Sequence, residues 1–147
     1  MRRMNLERSA KGLSKVVEGA ALAACAMYLI VYVVIALRRL HYPFDLEWME
    51  GGSIDHVRRL LAGEKIYVPP SLAFIPYLYP PFYYYVSALA ALVFGVGLFA
   101  LRLVSFTASL GCLAVLYWFV LKETGSKRAG LVAAGMFAGD VPLTVEI

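Results

Sequence analysis

Three long stretches without a charged residue constrain this chain more than any other feature of its sequence. They cover residues 19–37, 66–101 and 103–121. A helix crosses the hydrocarbon core of a bilayer with about 20 mostly apolar residues, because each residue adds about 1.5 Å along the axis. Charged residues make up only 16% of the chain, below the roughly 25% that is usual for soluble domains. The sequence therefore predicts an integral membrane protein.

We predict an all-α membrane protein with about four transmembrane helices. The predicted spans cover about 19–37, 81–101, 103–121 and 129–145, and residues 1–18 form a polar tail before the first of them. This tail carries an excess of Lys and Arg. The positive-inside rule therefore places the N-terminus in the cytoplasm.

Two points about the spans stay open. The first apolar stretch could instead be the core of a signal peptide, but no small-residue cleavage site follows its most apolar part, which favours an uncleaved helix. If every block crosses once, the basic turn at 122–128 lies outside the cytoplasm, against the positive-inside rule. Either the block at 81–101, which Gly95 and Gly97 interrupt, is a partial re-entrant passage, or the charge bias is weak here.

The net charge of +4 does not indicate nucleic-acid binding. The basic residues lie in short runs at the ends of the apolar blocks, where orientation signals and membrane anchors are found. Cys25 and Cys112 fall inside apolar runs, so we expect buried thiols rather than a disulfide or a metal pair. No glycine-rich phosphate loop or nucleotide-binding fingerprint occurs in the sequence, which argues against a soluble nucleotide-sugar enzyme.

The loop between the first two predicted spans, residues 38–80, is where we expect the functional site. It contains five of the ten acidic residues, and seven of the ten tyrosines lie between Tyr42 and Tyr85. A carboxylate beside a membrane surface costs free energy unless it is solvated, paired with a cation or part of a functional site. Aromatic rings with a polar edge prefer the headgroup level, so we expect this loop to follow the membrane surface.

A short amphipathic helix is predicted inside this loop. Asp45 stands where an N-cap would, and Gly63 stands where the helix would stop. Apolar residues recur at helical spacing on one face, and polar residues, among them His56, fill the other. We expect this helix to lie in the plane of the interface. The chain would then enter the membrane again at Pro80–Pro81.

Three acidic residues just after the first span are the strongest candidates for chemistry: Asp45, Glu47 and Glu50. A D-x-E pair can act as a general base or bind a divalent cation. A structural role is the alternative, because acidic side chains also stabilise the first turn of a helix. His41 and His56 are candidates for acid–base work or phosphate binding, although a polar surface position is the commoner role of an interfacial histidine.

Three arginines and a tyrosine are candidates for binding a lipid phosphate. Arg58, Arg59 and Arg102 could hold such a group or could be snorkelling anchors. Arg102 is the most informative of them, because it stands between two apolar blocks, where a charge needs a partner or a ligand. Tyr79 lies in a Tyr-Pro-Pro stretch that could shape a groove for a lipid chain or sugar, and a membrane anchor explains it equally well.

Five segments, in this order and spacing, resemble a known family. They read P-F-D-L-E-W-M-E-G-G, R-R-L-L-A-G-E-K-I-Y, Y-L-Y-P-P-F-Y-Y-Y-V-S-A-L, F-G-V-G-L-F-A-L-R-L-V-S and A-G-L-V-A-A-G-M-F-A. Over roughly residues 19–139 the chain resembles the N-terminal part of the GT-C fold glycosyltransferases, a group with the family 39 protein O-mannosyltransferases and the lipid A aminoarabinose transferases. The resemblance implies a glycosyltransferase domain over 19–147 that takes a sugar from a polyprenyl-phosphate donor at the outer face of the plasma (inner) membrane.

The resemblance also implies roles for single residues. Asp45 is the expected catalytic base, Glu47 completes the D-x-E pair, and Glu50 is a second choice. The base would deprotonate an acceptor hydroxyl or amine that attacks the anomeric carbon with inversion. Arg102 matches an arginine that follows the F-G segment in this group, and arginines would ease departure of the lipid phosphate. A divalent metal, Mg²⁺ or Mn²⁺, bound by Asp45 and Glu47 is the one cofactor left open.

The sequence also leaves open whether the chain is a fragment and which other functions it could have. Members of this group have more spans and are longer, so we expect the present sequence to be an N-terminal fragment. Its partners would be the lipid-linked donor and membrane lipids, with no nucleic acid. The main alternative is a small non-catalytic membrane scaffold or subunit in which the acids are interfacial caps. A transporter component is disfavoured, because no charged residue lies inside the first three predicted spans.

Overall fold

The computed structural model of the protein describes the backbone of residues 2–144 and the side chains of residues 12–139. Its elements are α1 (Arg2–Leu40), α2 (Met49–Leu61), α3 (Phe82–Phe94), α4 (Leu98–Thr124) and α5 (Lys127–Thr144). No β-strand occurs among the described residues. The predicted all-α class is therefore confirmed.

The chain divides into two compact units. One combines the residues up to Ile35 with those from Leu110 onward, and the other is Ala36–Ser109. The second unit contains the end of α1, all of α2 and α3, and the first half of α4. It holds every side chain that the sequence singles out for chemistry.

Two helices are long and apolar enough to cross a membrane, within the part of the chain that the structure describes. They are Gly12–Leu40 in α1 and Leu98–Thr124, which is α4. Only 11% and 6% of the most apolar stretch of each helix is buried inside the protein, whereas a core helix of a soluble protein is mostly buried. These helices contain the predicted spans 19–37 and 103–121.

The predicted span 81–101 is not a single helix. Pro81 is the N-cap of α3, which has 13 residues and ends at Gly95 with a φ of 85°. A positive φ is readily reached by glycine because it has no Cβ. A helix of this length measures about 20 Å, less than the roughly 30 Å hydrocarbon core. Of the two alternatives, this break favours a partial, glycine-interrupted passage.

The second unit is built on the packing of α2 against α3. The buried apolar residues at this contact and at the start of α4 are Val57, Ala88, Ala91, Ala100 and Leu101. Three of these five are alanines, whose small side chains let the helix backbones approach closely. This packing fixes α2, and with it the turn that precedes the helix and contains Asp45 and Glu47, which we term the acidic turn.

The end of α2 was predicted correctly, and its beginning was not. Gly63 has a φ of 73°, and the N–H groups of Gly63 and Glu64 donate to the carbonyls of Leu60 and Arg59 at 3.0 and 2.8 Å. These bonds form a Schellman motif. At the other end the N-cap is Trp48, without a side-chain cap hydrogen bond. The predicted N-cap role of Asp45 is therefore wrong.

In the first unit, glycines of α5 allow close helix packing. A Cβ at Gly135 would overlap the Cβ of Cys25 in α1, and one at Gly130 would lie 2.8 Å from Cδ2 of Tyr117. Close approach at small residues is a common way for helices to associate in membranes. Cys25 is buried as predicted, whereas Cys112 is exposed.

Candidate active site

Arg102, in the second turn of α4, organises the loop that follows α1. Its Nε and Nη2 donate to Oε1 and Oε2 of Glu50 at 2.8 and 2.6 Å. Nη1 donates to the carbonyls of Arg39 and Tyr42 at 2.8 and 2.6 Å, and Nη2 also donates to Phe44 at 2.8 Å. A guanidinium has five N–H donors. All five are therefore used within the protein.

These bonds explain why a charged side chain is found between two apolar stretches. The side chains of Arg102 and Glu50 are only 9% and 20% exposed, and a bidentate arginine–carboxylate pair is among the stronger polar contacts. The carbonyl of Arg39 lies in the last turn of α1, where carbonyls lack a helical partner and a cation is favourable. Arg102 thus fixes the path of the backbone from the end of α1 to the start of α2.

The surroundings of Glu50 make it a poor general base. Burial by itself raises the pKa of this carboxyl, but hydrogen bonds from Arg102 and from the N–H of Leu46, together with the arginine charge, outweigh burial and lower the pKa below its ordinary value of 4.5. A general base works best with a pKa near the operating pH. Both oxygens of Glu50 are also occupied.

Asp45 and Glu47, in contrast, are exposed on the turn before α2. Among the described residues neither carboxylate has an ion-pair partner. Asp45 points toward the start of α2, because a Cβ built on Gly51 would lie 3.3 Å from its Oδ2. These two carboxylates are accessible to a ligand, whereas Glu50 is committed to Arg102.

His56 is the residue whose environment was predicted least well. It was placed on the polar face of α2, and the structure buries it completely. Its Nε2 accepts from the backbone N–H of Tyr77 at 2.9 Å, so Nδ1 carries the hydrogen and donates to the carbonyl of Gly52 at 2.7 Å. The ring stacks on Tyr77 and Tyr84, with centroids 4.9 and 4.6 Å away. The segment that follows α2 covers this face.

Arg58 and Arg59 differ in how far they are committed. Arg59 pairs with Glu64 at 2.9 Å, and its guanidinium carbon lies 4.4 Å from the ring centroid of Phe74. Arg58 makes an exposed pair with Asp55 at 3.0 Å, three residues away on the same helix. Exposed ion pairs of this kind contribute little to the stability of the folded protein. Arg58 therefore remains available to an anionic ligand at little cost, whereas Arg59 stabilises the segment after α2.

Tyr79 belongs to a small aromatic group beside the acidic turn. Its hydroxyl contacts Sδ of Met49 at 3.7 Å, and its ring lies edge-on to that of Tyr77, with centroids 6.2 Å apart. Tyr77 in turn lies directly over Gly52, where a Cβ would overlap the phenol. The Glu-Gly-Gly sequence at the start of α2 is thus explained by what faces its glycines.

The sequence leaves open a divalent metal bound by Asp45 and Glu47. No group of three or more His, Cys, Asp or Glu side chains in the described part of the chain is placed to bind a metal ion. Mg²⁺ is often bound by one or two carboxylates together with substrate phosphates. Asp45 and Glu47 could therefore hold a metal ion only as two carboxylates, with a bound phosphate and water supplying the remaining ligands.

The fold and the site together define a class of protein, namely a helical membrane protein with an acidic, aromatic loop next to its apolar helices. The chain belongs to the family described as dolichyl-phosphate-mannose-protein mannosyltransferase, whose model matches residues 69–146, just over half of the chain. No curated protein and no solved structure gives a significant match. The protein is accordingly a glycosyltransferase of the mannosyltransferase type. The matched range includes Tyr79 and Arg102 and begins after the acidic turn.

Proposed function

We propose that the protein transfers a mannosyl group from a polyprenyl-phosphate-linked donor to an acceptor at the outer face of the plasma (inner) membrane. The observation that carries this proposal is the family match, because the family's name specifies a mannosyl group on a polyprenyl phosphate. The loop of residues 38–80 supplies exposed carboxylates and aromatic rings beside two helices that can cross a membrane. A lipid-linked donor would meet the protein at such a boundary.

We assign the catalytic base to Asp45, with Glu47 as its neighbour in the D-x-E pair. Asp45 takes the proton of an acceptor hydroxyl or amine. The acceptor atom forms a bond to the anomeric carbon, and the bond from that carbon to the phosphate oxygen breaks. The electron pair leaves with the polyprenyl phosphate. Attack from the face opposite the leaving group inverts the anomeric configuration.

The donor phosphate needs cations, and we propose Arg58 for that role because its ion pair with Asp55 is exposed. Arg102 was the most informative of the three arginines in the sequence, but all of its guanidinium donors are used inside the protein. We therefore propose that Arg102 and Glu50 are positioning residues that hold the acidic turn. Arg59 and Tyr79 remain secondary candidates for the phosphate. A divalent metal held by Asp45 and Glu47 would supply further positive charge to the leaving phosphate.

The proposed orientation follows from the first span. With the basic N-terminal tail in the cytoplasm, α1 brings the acidic turn to the opposite side of the membrane. The lipid-linked sugar and the acceptor would then be on the outer face. Labelling of a single cysteine introduced at residue 47 by a membrane-impermeant maleimide in intact cells, in a background without Cys25 and Cys112, tests this orientation. Labelling only after permeabilisation would contradict it.

The function itself is tested by donor choice. Membranes containing the protein are supplied with a short-chain mannosyl-phosphoryl-prenol or with a nucleotide-linked mannose, each radiolabelled. We expect label to appear in an acceptor from the lipid-linked donor alone, with inverted anomeric configuration. Transfer from the nucleotide sugar in membranes stripped of polyprenyl phosphate would contradict the proposal. Absence of transfer from both donors would favour a non-catalytic subunit.

A further inference from the structure

Three aromatic side chains beside the acidic turn form what we term the aromatic corner: Trp48, Tyr77 and Tyr79. The rings of Trp48 and Tyr77 are 6.4 Å apart with an interplanar angle of 71°, and those of Tyr77 and Tyr79 are 6.2 Å apart at 73°. Both outer rings thus stand nearly perpendicular to the central one. Trp48 and Tyr79 are 79% and 54% exposed, so a ligand can reach them.

The central ring of the corner is held in place from several directions. The backbone N–H of Tyr77 donates to Nε2 of His56 at 2.9 Å, and the phenol ring of Tyr77 stacks on the buried imidazole, with centroids 4.9 Å apart. Gly52 leaves the space that the phenol occupies. The carbonyl of Tyr79 accepts a hydrogen bond from the hydroxyl of Tyr67 at 2.5 Å. Rings fixed in this way can bind a ligand without losing much conformational freedom.

Asp45 and Tyr77 of the corner both face the first turn of α2. Gly51 and Gly52 are consecutive, and one faces the carboxylate of Asp45 while the other faces the phenol of Tyr77. Trp48 is three residues from Asp45 and is the N-cap of the same helix. A ligand stacked in the corner therefore lies close to the carboxylate that we assign as the base.

We propose that the aromatic corner binds the sugar ring of the donor, with Trp48 as its main stacking surface. A hexose has faces of C–H bonds and a rim of hydroxyls. The negative face of an aromatic ring attracts the positively polarised C–H bonds, and a carboxylate accepts hydrogen bonds from hydroxyls. This inference rests on the proposed function for the identity of the sugar as a mannosyl group, but the stacking geometry is independent of it.

Membrane anchoring is the competing role for exposed aromatic residues. The same segment presents other apolar side chains that suit it better, because Leu72, Leu78 and Phe82 are 111%, 95% and 77% exposed. An anchor also needs no fixed angle between rings and no neighbouring carboxylate. The geometry of the corner therefore favours a sugar over lipid.

Intrinsic fluorescence can test the proposal directly, because the chain has two tryptophans. In a Trp118→Phe background, Trp48 is the only tryptophan, and excitation at the red edge of the tryptophan absorption band avoids emission from the ten tyrosines. The protein in vesicles is titrated with a short-chain mannosyl-phosphoryl-prenol and, separately, with the same prenyl phosphate without the sugar. We expect a saturable change in Trp48 emission with the first compound only. Equal changes with both compounds, or no change with either, would overturn the proposal.

A second measurement separates the sugar from the bilayer. Vesicles made with brominated phosphatidylcholine quench tryptophans that lie among the acyl chains. We expect Trp48 to be quenched weakly in the Trp118→Phe protein, and Trp118 to be quenched strongly in a Trp48→Phe protein, because Trp118 lies in α4. Strong quenching of Trp48 would assign the corner to membrane anchoring.

Kinetics supply a third test. Trp48→Ala should raise the KM for the lipid-linked donor roughly tenfold, equivalent to about 1.4 kcal/mol, with a smaller effect on kcat. Trp48→Phe should restore most of the affinity. Phe82→Ala is the matched control, because Phe82 is similarly exposed and lies outside the corner. An unchanged KM in Trp48→Ala would overturn the proposal. Binding without transfer would instead contradict the proposed function and leave the corner's role intact.

Discussion

At the scale of single residues, the three acidic residues that follow α1 differ in what contacts them. Glu50 receives hydrogen bonds from Arg102 on both oxygens, while Asp45 and Glu47 are exposed. A carboxylate that is already paired with a buried arginine contributes to stability rather than to proton transfer. The different roles of the three carboxylates therefore follow from the buried guanidinium of Arg102, which of the three pairs with Glu50 alone.

Replacing Glu50 tests its structural role. Glu50→Gln keeps the shape of the side chain but leaves Arg102 nearly buried without a counter-charge. Since hydrogen bonds to charged groups contribute roughly 1.5–3 kcal/mol, we expect the free energy of unfolding to fall by about 2 kcal/mol. Glu47→Gln is the control and should change it by less than about 0.5 kcal/mol. Circular dichroism during chemical unfolding in detergent measures both, and equal effects would contradict the assignment.

The lowered pKa of Glu50 predicts an acid-sensitive fold. Because the folded state holds this carboxyl below its ordinary pKa of 4.5, the stabilisation is complete above that value. It is lost as the pH falls through the lower pKa of the folded state. The difference in Tm between the wild type and Glu50→Gln should therefore shrink on acidification below 4.5. A difference that stays constant across that range would show that ionisation of Glu50 does not stabilise the fold.

At the scale of elements, glycines decide how closely helices and loops approach each other. Gly52 of α2 lies beneath the phenol of Tyr77, and Gly135 of α5 lies against Cys25 of α1, each within its own unit. In an exposed helix interior, alanine is more stable than glycine by roughly 0.5–1 kcal/mol. Where the space is already filled, a methyl group has the opposite effect.

Gly52→Ala tests the contact beneath the aromatic corner. A Cβ there would overlap the hydroxyl of Tyr77, and overpacking costs about 1–3 kcal/mol. We expect lower stability and altered emission of Trp48 in the Trp118→Phe background, because Tyr77 must move. Gly111→Ala in α4 is the matched control, since open space surrounds that position. A rise in stability for both variants would contradict the described packing.

Gly135→Ala tests the contact between α1 and α5 in the other unit. The added methyl would meet Cβ and backbone atoms of Cys25, so the helices must separate. We expect a fall in Tm with no change in the emission of Trp48, because α2 and Tyr77 belong to the second unit. Gly111→Ala again serves as the control. An unchanged Tm in Gly135→Ala would show that this contact is loose.

At the scale of the whole molecule, the sequence indicated the local features and missed the distant contacts. The spans around α1 and α4, the stop at Gly63 and the break at Gly95 follow from composition and from glycine's backbone freedom. The partner of Arg102 lies 52 residues away in the chain, which no local pattern reveals. Likewise, His56 is buried by a segment 21 residues later, so its helical face alone suggested a surface position.

We propose Asp45 as the reacting carboxylate of this mannosyltransferase, in an acidic turn held by Arg102 and Glu50. The most direct test of this role is the rate of mannosyl transfer from the lipid-linked donor by Asp45→Asn, measured at equal amounts of folded protein. General base catalysis contributes about 10²–10⁴-fold, so we predict a loss of at least about a hundredfold with an unchanged Tm. Transfer at the wild-type rate by Asp45→Asn would show that Asp45 is not the catalytic base.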